Sequence, residues 1–242
     1  MKPDVIVAWP WTCDYPLWRK FIRDERHRFA KILVAFTTNT QGPTDYRQFV
    51  RKQIGDIAEY FDAPTDGEWR DRAVNDALDR STAEWVWFTE QDFLIRDETF
   101  WDYMRPPWSE SVIGWLDETP RLHPSCLLVH RHLIDQTSRH FGPGSIDHFA
   151  RFGQELQGTI YLIPDDGTWE HLQGLSQNHY LIDTGQREGL FNLPRFHRYL
   201  ADCLASGVTL HPLWRERAER ELAAYRAAQA DPTRRYREGS YD

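Results

Sequence analysis

Glu90 and Asp92 stand one residue apart in Glu90-Gln91-Asp92, directly after the aromatic run EWVWFT at residues 84–89. If extended geometry persists past that run, both carboxylates leave the chain on the same face. Two carboxylates held together repel unless a cation or a shared proton compensates them. A hard divalent ion, Mn2+ or Mg2+, would do so and would in turn hold a diphosphate. A bare Glu-x-Asp is equally at home in a solvated turn, so its meaning rests on the elements that position it.

Those elements alternate strand and helix over the first two thirds of the chain, which predicts βαβ units. Residues 5–9 (VIVAW) and 31–36 (KILVAF) read as buried strands, with a helix from Pro16 to about His27 opened by proline at its first turn. A helix over 45–54 and a short strand over 58–61 follow. Residues 66–80 (DGEWRDRAVNDALDR) carry Trp69, Ala73 and Ala77 on one side with Val74 and Leu78 adjoining, and Asp66 is placed to cap that helix. The β-branched and aromatic run 84–89 is then a central strand, and acids just past its end lie where α/β sheets bind ligands. Further on, the pattern predicts a helix over 100–104, strands over 111–116 and 125–129, and helices over 132–139 and 146–157. A strand over 159–163 precedes a polar, His-containing segment over 167–180. Helices over 194–206 and 212–229 follow, before a frayed terminus.

Composition bounds the rest. The 242 residues are 40% hydrophobic and 27% charged, as in an ordinary globular chain rather than a disordered one. A net charge of -8 makes no demand for a nucleic-acid partner, though a local basic groove is compatible with it. Cys13, Cys126 and Cys203 are odd in number and form no CxxC pair, which suits a reduced, cytoplasmic protein better than a disulfide scaffold. No apolar run reaches the length of a signal peptide's core or a membrane span, so no membrane partner is expected. Eleven Trp offer flat faces for sugar rings or bases, although most Trp residues simply fill cores.

The run RAVNDAL at 72–78, followed by EWVWFTEQDF at 84–93, resembles the nucleotide-binding half of GT-A glycosyltransferases, particularly family-2-like members. Their pattern is a helix with an Asn-x-Ala-Leu stretch, a hydrophobic strand and a DxD motif. Asn75, Ala77 and Leu78 match the helix, and Glu90-Gln91-Asp92 stands where the DxD belongs, with Glu replacing its first Asp. The resemblance covers about residues 4–180 and is specific over 66–93. It implies an α/β fold, a GT-A-like, Rossmann-related mixed central sheet flanked by helices, with C-terminal helices. One domain would span 1–230, with a nucleotide-binding half (1–95), an acceptor and catalytic half (96–185) and C-terminal helices (186–230), before a tail (231–242).

The resemblance also implies a nucleotide-sugar donor, UDP-sugar favoured, and Mn2+ or Mg2+ as cofactor. Asp92 would ligate the metal, while Glu90 would contact the ribose or reach the metal through water. His171 would complete the metal site by chain order, with His179 as second choice. On the nucleotide side, Trp9, Trp11 or Tyr15 would stack on the base and Asp14 accept a hydrogen bond. Thr38 and Asn39 in the next loop, and Arg72 and Asn75 on the helix, complete that set. Asp117, with Glu118, would meet the donor sugar's hydroxyls. Asp147, with Glu155 second, would be the base of an inverting enzyme, a position at which Asp147 equally serves as a helix N-terminal acid.

The expected activity is hexosyl transfer to an acceptor hydroxyl, on a glycan, a small glycoside or a hydroxymethylated DNA base, inverting or retaining. The C-terminal arginines 215, 217, 220, 226, 234, 235 and 237 could meet phosphates, but neighbouring acids nearly balance them. Two rival classes remain. A metal-dependent nucleotidyltransferase would carry a Gly-rich loop near the first strand, and AWPWTCDYP has no glycine. A non-catalytic carbohydrate-binding protein would bind glycans indifferently to EDTA.

Overall fold

The structure, a computed structural model, describes residues 1–10, 13–37, 45–63, 69–116, 122–142, 149–186, 190 and 192–230. Its centre is a seven-stranded mixed sheet in the order β3-β2-β1-β4-β7-β6-β8. The strands are β1 (Asp4–Pro10), β2 (Ile32–Thr37), β3 (Glu59–Asp62), β4 (Trp85–Thr89), β6 (Ser111–Leu116), β7 (Leu122–His130) and β8 (Thr159–Leu162). β1, β2, β3 and β4 run parallel, and β6 pairs parallel with β8. β7 runs antiparallel to both neighbours, β4 and β6. Between them β5 (Phe93–Ile95) and, later, β9 (Trp169–His171) form a separate two-stranded ribbon.

The strand sequences follow from burial on both faces. Every residue of β4 is buried, so it reads as continuous apolar and aromatic rather than alternating. On one face, Ile6, Phe88 and Leu127 pack with Val74 and Leu78 of helix α3 (Trp69–Arg80) and Phe152 of α6 (Ala150–Glu155). On the other, Val7, Trp87 and Leu128 share a core with Trp18 of α1 (Pro16–Asp24), Tyr199 of α8 (Leu193–Ala205) and Trp214 of α9 (Pro212–Ala230). The remaining helices are α2 (Arg47–Ile54), α4 (Phe100–Tyr103), α5 (Arg131–Asp135) and α7 (Leu175–Asp183). Among the described residues no helix is long and apolar enough to cross a membrane.

The sequence-based elements recur with shifted ends. The first helix stops at Asp24, and residues 26–28 form a 3-10 turn. Asp45 precedes α2, its carboxylate accepting from the Arg47 backbone N–H at 2.9 Å. Residues 64–68 and 143–148, including the expected cap Asp66, lie outside the described residues. Helix α5 is shorter than expected, ending at Asp135. Three differences matter for the site. β7 begins at Leu122 rather than Ser125, because Pro124 is accommodated where the ladder to β6 is interrupted by a register shift. The polar segment over 167–180 contains a strand, β9, and most of a helix, α7. Its partner β5 lies in the run directly after Asp92, where no strand was expected.

Candidate metal centre

β1 and β4 are neighbours from which the chain departs in opposite directions, β2 and β3 on one side and β7 on the other. The carboxyl ends of such a pair form a crevice suited to ligands. Glu90 leaves β4 at that point, and Ala8, Thr89, Glu90 and Pro124 help line a narrow cleft there. Glu90 is tied to the adjoining strand: its backbone N–H donates to the Ser125 carbonyl at 3.3 Å, and Thr89 Oγ1 donates to the same oxygen at 3.0 Å. Gln91 turns inward, buried, and its side-chain amide donates to the Ala8 carbonyl of β1. With Gln91 directed into the sheet, Glu90 and Asp92 are left for the cleft.

The ribbon then delivers the third group. Phe93 pairs with His171 across β5 and β9, and the Leu172 backbone N–H donates to the Asp92 carbonyl at 2.8 Å. His171 Nε2 therefore comes to 3.5 Å from Asp92 Oδ1 and 3.9 Å from Glu90 Oε2. Asp92 Oδ1 and His171 Nε2 are buried and have no hydrogen-bond partner among the described residues. Burial works against a charged His171, but the Asp92 and Glu90 carboxylates outweigh it and raise its pKa. Two acids and an imidazole turned toward one another, with buried donor atoms unsatisfied, fit a divalent cation: carboxylates suit Mn2+ and Mg2+, and imidazole accepts many divalent metals.

A fourth residue joins them that the sequence reasoning missed. His123, at the start of β7, offers a ring nitrogen within 4.8 Å of the donor atoms of Glu90 and His171. Its ring lies 4.7 Å from that of His171 and is stacked on Trp115, centroids 4.5 Å apart. The antiparallel register that sets Cys126 opposite Thr89 also brings the start of β7 alongside Glu90. No local signal marks His123, since its role depends on β7 reaching beyond Pro124.

Other expected site residues fall elsewhere. Trp9 is fully buried, packs edge-on against Tyr15 and Trp18, and donates from Nε1 to the Cys13 carbonyl at 3.1 Å. It is a core residue rather than an open stacking face, and Tyr15 is buried beside it, hydrogen-bonded to Ser176 Oγ at 2.6 Å. Asp14 is fully buried, with both carboxylate oxygens taken by the Arg19 guanidinium at 2.7 and 2.9 Å. Asn75 donates to the carbonyls of Asp71 and Arg139 at 2.9 and 3.0 Å, so its amide links α3 to the segment after α5. Arg72 projects from the exposed side of α3. His179 is buried among aromatic rings of the C-terminal helices, and burial lowers its pKa to about 3. Glu155 accepts from the Ser138 backbone N–H at 2.6 Å and from Arg151 Nε at 2.9 Å. Trp11, Thr38, Asn39, Asp117, Glu118 and Asp147 lie outside the described residues.

No family model and no curated protein matches the sequence. Solved structures do. S. aureus TarS 1-349 aligns over 96% of this chain and 73% of its own at 12% identity, with a TM-score of 0.50. The same protein in complex with UDP-GlcNAc gives 14% identity, 96% and 74% coverage, and a TM-score of 0.50. The mannosyltransferase PcManGT from Pyrobaculum calidifontis, in complex with GDP-Man and Mn2+, gives 17% identity, 96% and 77% coverage, and a TM-score of 0.48. At 12% and 14% identity, with a TM-score of 0.50, the likeness to TarS establishes the fold alone. The chain has the α/β fold of the GT-A glycosyltransferases, a mixed central sheet flanked by helices.

Proposed function

We propose that this chain is a metal-dependent glycosyltransferase that moves a sugar, of hexosyl type, from a nucleoside-diphosphate sugar to an acceptor hydroxyl. One observation carries the reading: Glu90, Asp92 and His171 converge at the carboxyl end of β4, with buried Asp92 Oδ1 and His171 Nε2 unsatisfied. Asp92 and His171 would hold Mn2+ or Mg2+, with Glu90 beside them meeting the ribose or the metal's water. Residues 1–95 would take the donor and 96–185 the acceptor. A UDP-sugar is the favoured donor, in keeping with the UDP-GlcNAc bound by TarS.

When bound, the metal supplies Lewis-acid neutralisation of the diphosphate charge. The chain's own groups do the rest. Asp147 takes the proton of the acceptor hydroxyl, whose oxygen bonds to the anomeric carbon. The bond from that carbon to the diphosphate oxygen breaks, and the nucleoside diphosphate leaves with the electron pair, inverting the centre. The acceptor is a glycan, a small glycoside or a hydroxymethylated DNA base.

The test is calorimetric titration of UDP and GDP, each with Mn2+ and with EDTA, into wild type and Asp92→Ala. Micromolar binding that needs both metal and Asp92 is the expected outcome, and it identifies the base. Absence of binding to either nucleotide under every condition would sink the reading. A non-catalytic carbohydrate-binding protein would then take its place.

A further inference from the structure

At the end of the sheet opposite the metal centre, a cavity of about 420 Å3 opens beside residues 1–3, which lead into β1, and Arg28 and Phe29, which precede β2. Residues 104–106, after α4, form its other side, and it reaches in to Trp87 of β4 and Leu128 of β7. Small-molecule sites span about 300–1,000 Å3, so the volume suits one ligand. Phe29, Trp87, Trp101, Met104 and Leu128 give it apolar walls. Its charges are all of one sign. Lys2, Arg28 and Arg105 line it and, among the described residues, no Asp or Glu does, on a chain whose net charge is -8. The neighbouring cavity that shares Trp101 shows the contrast, with Lys20 and Arg96 offset by Asp24, Glu25, Asp97 and Glu98.

The cations keep capacity for a ligand. Lys2 is exposed and has no ion pair among the described residues. Arg28 gives its Nε–H to Glu25 and lies 4.7 Å over the Trp101 ring, which leaves its two Nη groups without a partner among the described residues. Arg105 meets Asp102 at 3.1 Å, but both are well exposed, and such a pair is worth little. Phe29, Trp87 and Trp101 meet one another at 5.7 to 6.0 Å, and Arg28 covers Trp101, so their faces are already engaged. An irregular wall of such rings with Met104 and Leu128 suits a flexible aliphatic chain better than a flat ring. We propose that this cavity binds an aliphatic carboxylate, its chain among the apolar walls and its head group between Lys2, Arg28 and Arg105. Removal of the chain from water supplies the affinity, and the three cations select the sign of the head group. The site is separate from the donor site and does not depend on the function proposed for it.

The experiment titrates the full chain by calorimetry with dodecanoate and, in parallel, with dodecyltrimethylammonium, each below its micelle-forming concentration. One dodecanoate per chain should bind with a Kd of about 100 μM or tighter, and about tenfold or more tighter than the cation. Lys2→Gln combined with Arg105→Gln changes two exposed side chains, and should weaken dodecanoate about tenfold without weakening the cation. A second measurement locates the chain. 12-Bromododecanoate should quench tryptophan fluorescence in wild type, and the quenched fraction should fall in Trp101→Phe, which keeps an aromatic ring in place. Absence of saturable dodecanoate binding to wild type overturns the proposal, as does equal affinity for the two head groups. Affinity unchanged in the Lys2 and Arg105 variant, or quenching unchanged in Trp101→Phe, overturns it too. Sedimentation of the same samples tests a different occupant: a dimer that takes up no dodecanoate gives the cavity to a second copy of the chain, and likewise overturns the proposal.

Discussion

A general base needs a free lone pair and a pKa near the working pH. At Glu155 both oxygens are engaged, and the Ser138 hydrogen bonds, reinforced by Arg151, pull its pKa down to about 2. That leaves Glu155 a poor proton acceptor. Glu155→Gln is expected to keep the transfer rate within about threefold, while Asp147→Asn lowers it by about a hundredfold or more. A fall in the Glu155 variant matching that of Asp147 would exchange the two roles. The same residue-scale reasoning separates Asp92 from Asp14. Both are carboxylates near the carboxyl end of a parallel strand, but buried Asp14 has its guanidinium partner, whereas half-buried Asp92 has one buried, unsatisfied oxygen. The Glu-x-Asp spacing was legible in sequence. Which of the two acids lacked a partner was not, because Arg19 reaches Asp14 only once α1 has formed.

At the scale of elements, the metal centre depends on a ribbon of two three-residue strands. Each is too short for periodicity to separate strand from loop, and their pairing joins segments far apart in the chain. His171 was placed by resemblance, and the ribbon supplies the physical reason for its position. Helix α7, which follows the ribbon, carries the other candidate histidine into the core. His179 meets Tyr15, Phe196, Tyr199 and Trp214 edge-on or tilted, at 5.8 to 5.9 Å, and its pKa falls to about 3 because burial disfavours the charged ring. The folded state thus refuses a proton that the unfolded chain accepts below about pH 6.5. Stability from this group is complete above that pH and is lost as pH falls toward 3. Between pH 7 and pH 5 the loss amounts to about 2 kcal/mol. Urea unfolding at both pH values should show a decline smaller by about that amount in His179→Phe. An unchanged decline would mean that His179 becomes protonated in the folded protein.

At the scale of the whole molecule, Arg19 connects three parts of the chain. Besides holding Asp14, its guanidinium donates to the Thr209 carbonyl at 2.8 Å, joining the loop after β1, helix α1 and the approach to α9. The pair is almost wholly buried, so removing one member strands a charge. Asp14→Ala is expected to cost about 3–5 kcal/mol of folding free energy, whereas Asp14→Leu combined with Arg19→Met should recover most of that loss. Equal loss in the single and double variants, by chemical denaturation, would refute the stranded-charge account. Asp14 is thus better understood as a structural anchor than as a contact for the nucleotide base.

The sequence by itself determined the βαβ order, the helix and aromatic strand before Glu90, and the acidic pair at the strand's end. These depend on local burial and on side-chain alternation, which a chain displays residue by residue. Only the tertiary structure decided that Trp9 and Asp14 belong to the core and that β7 extends past Pro124 to carry His123. Those outcomes depend on strand order, register and the partners that distant segments bring, quantities set when the sheet closes rather than by any single stretch of residues.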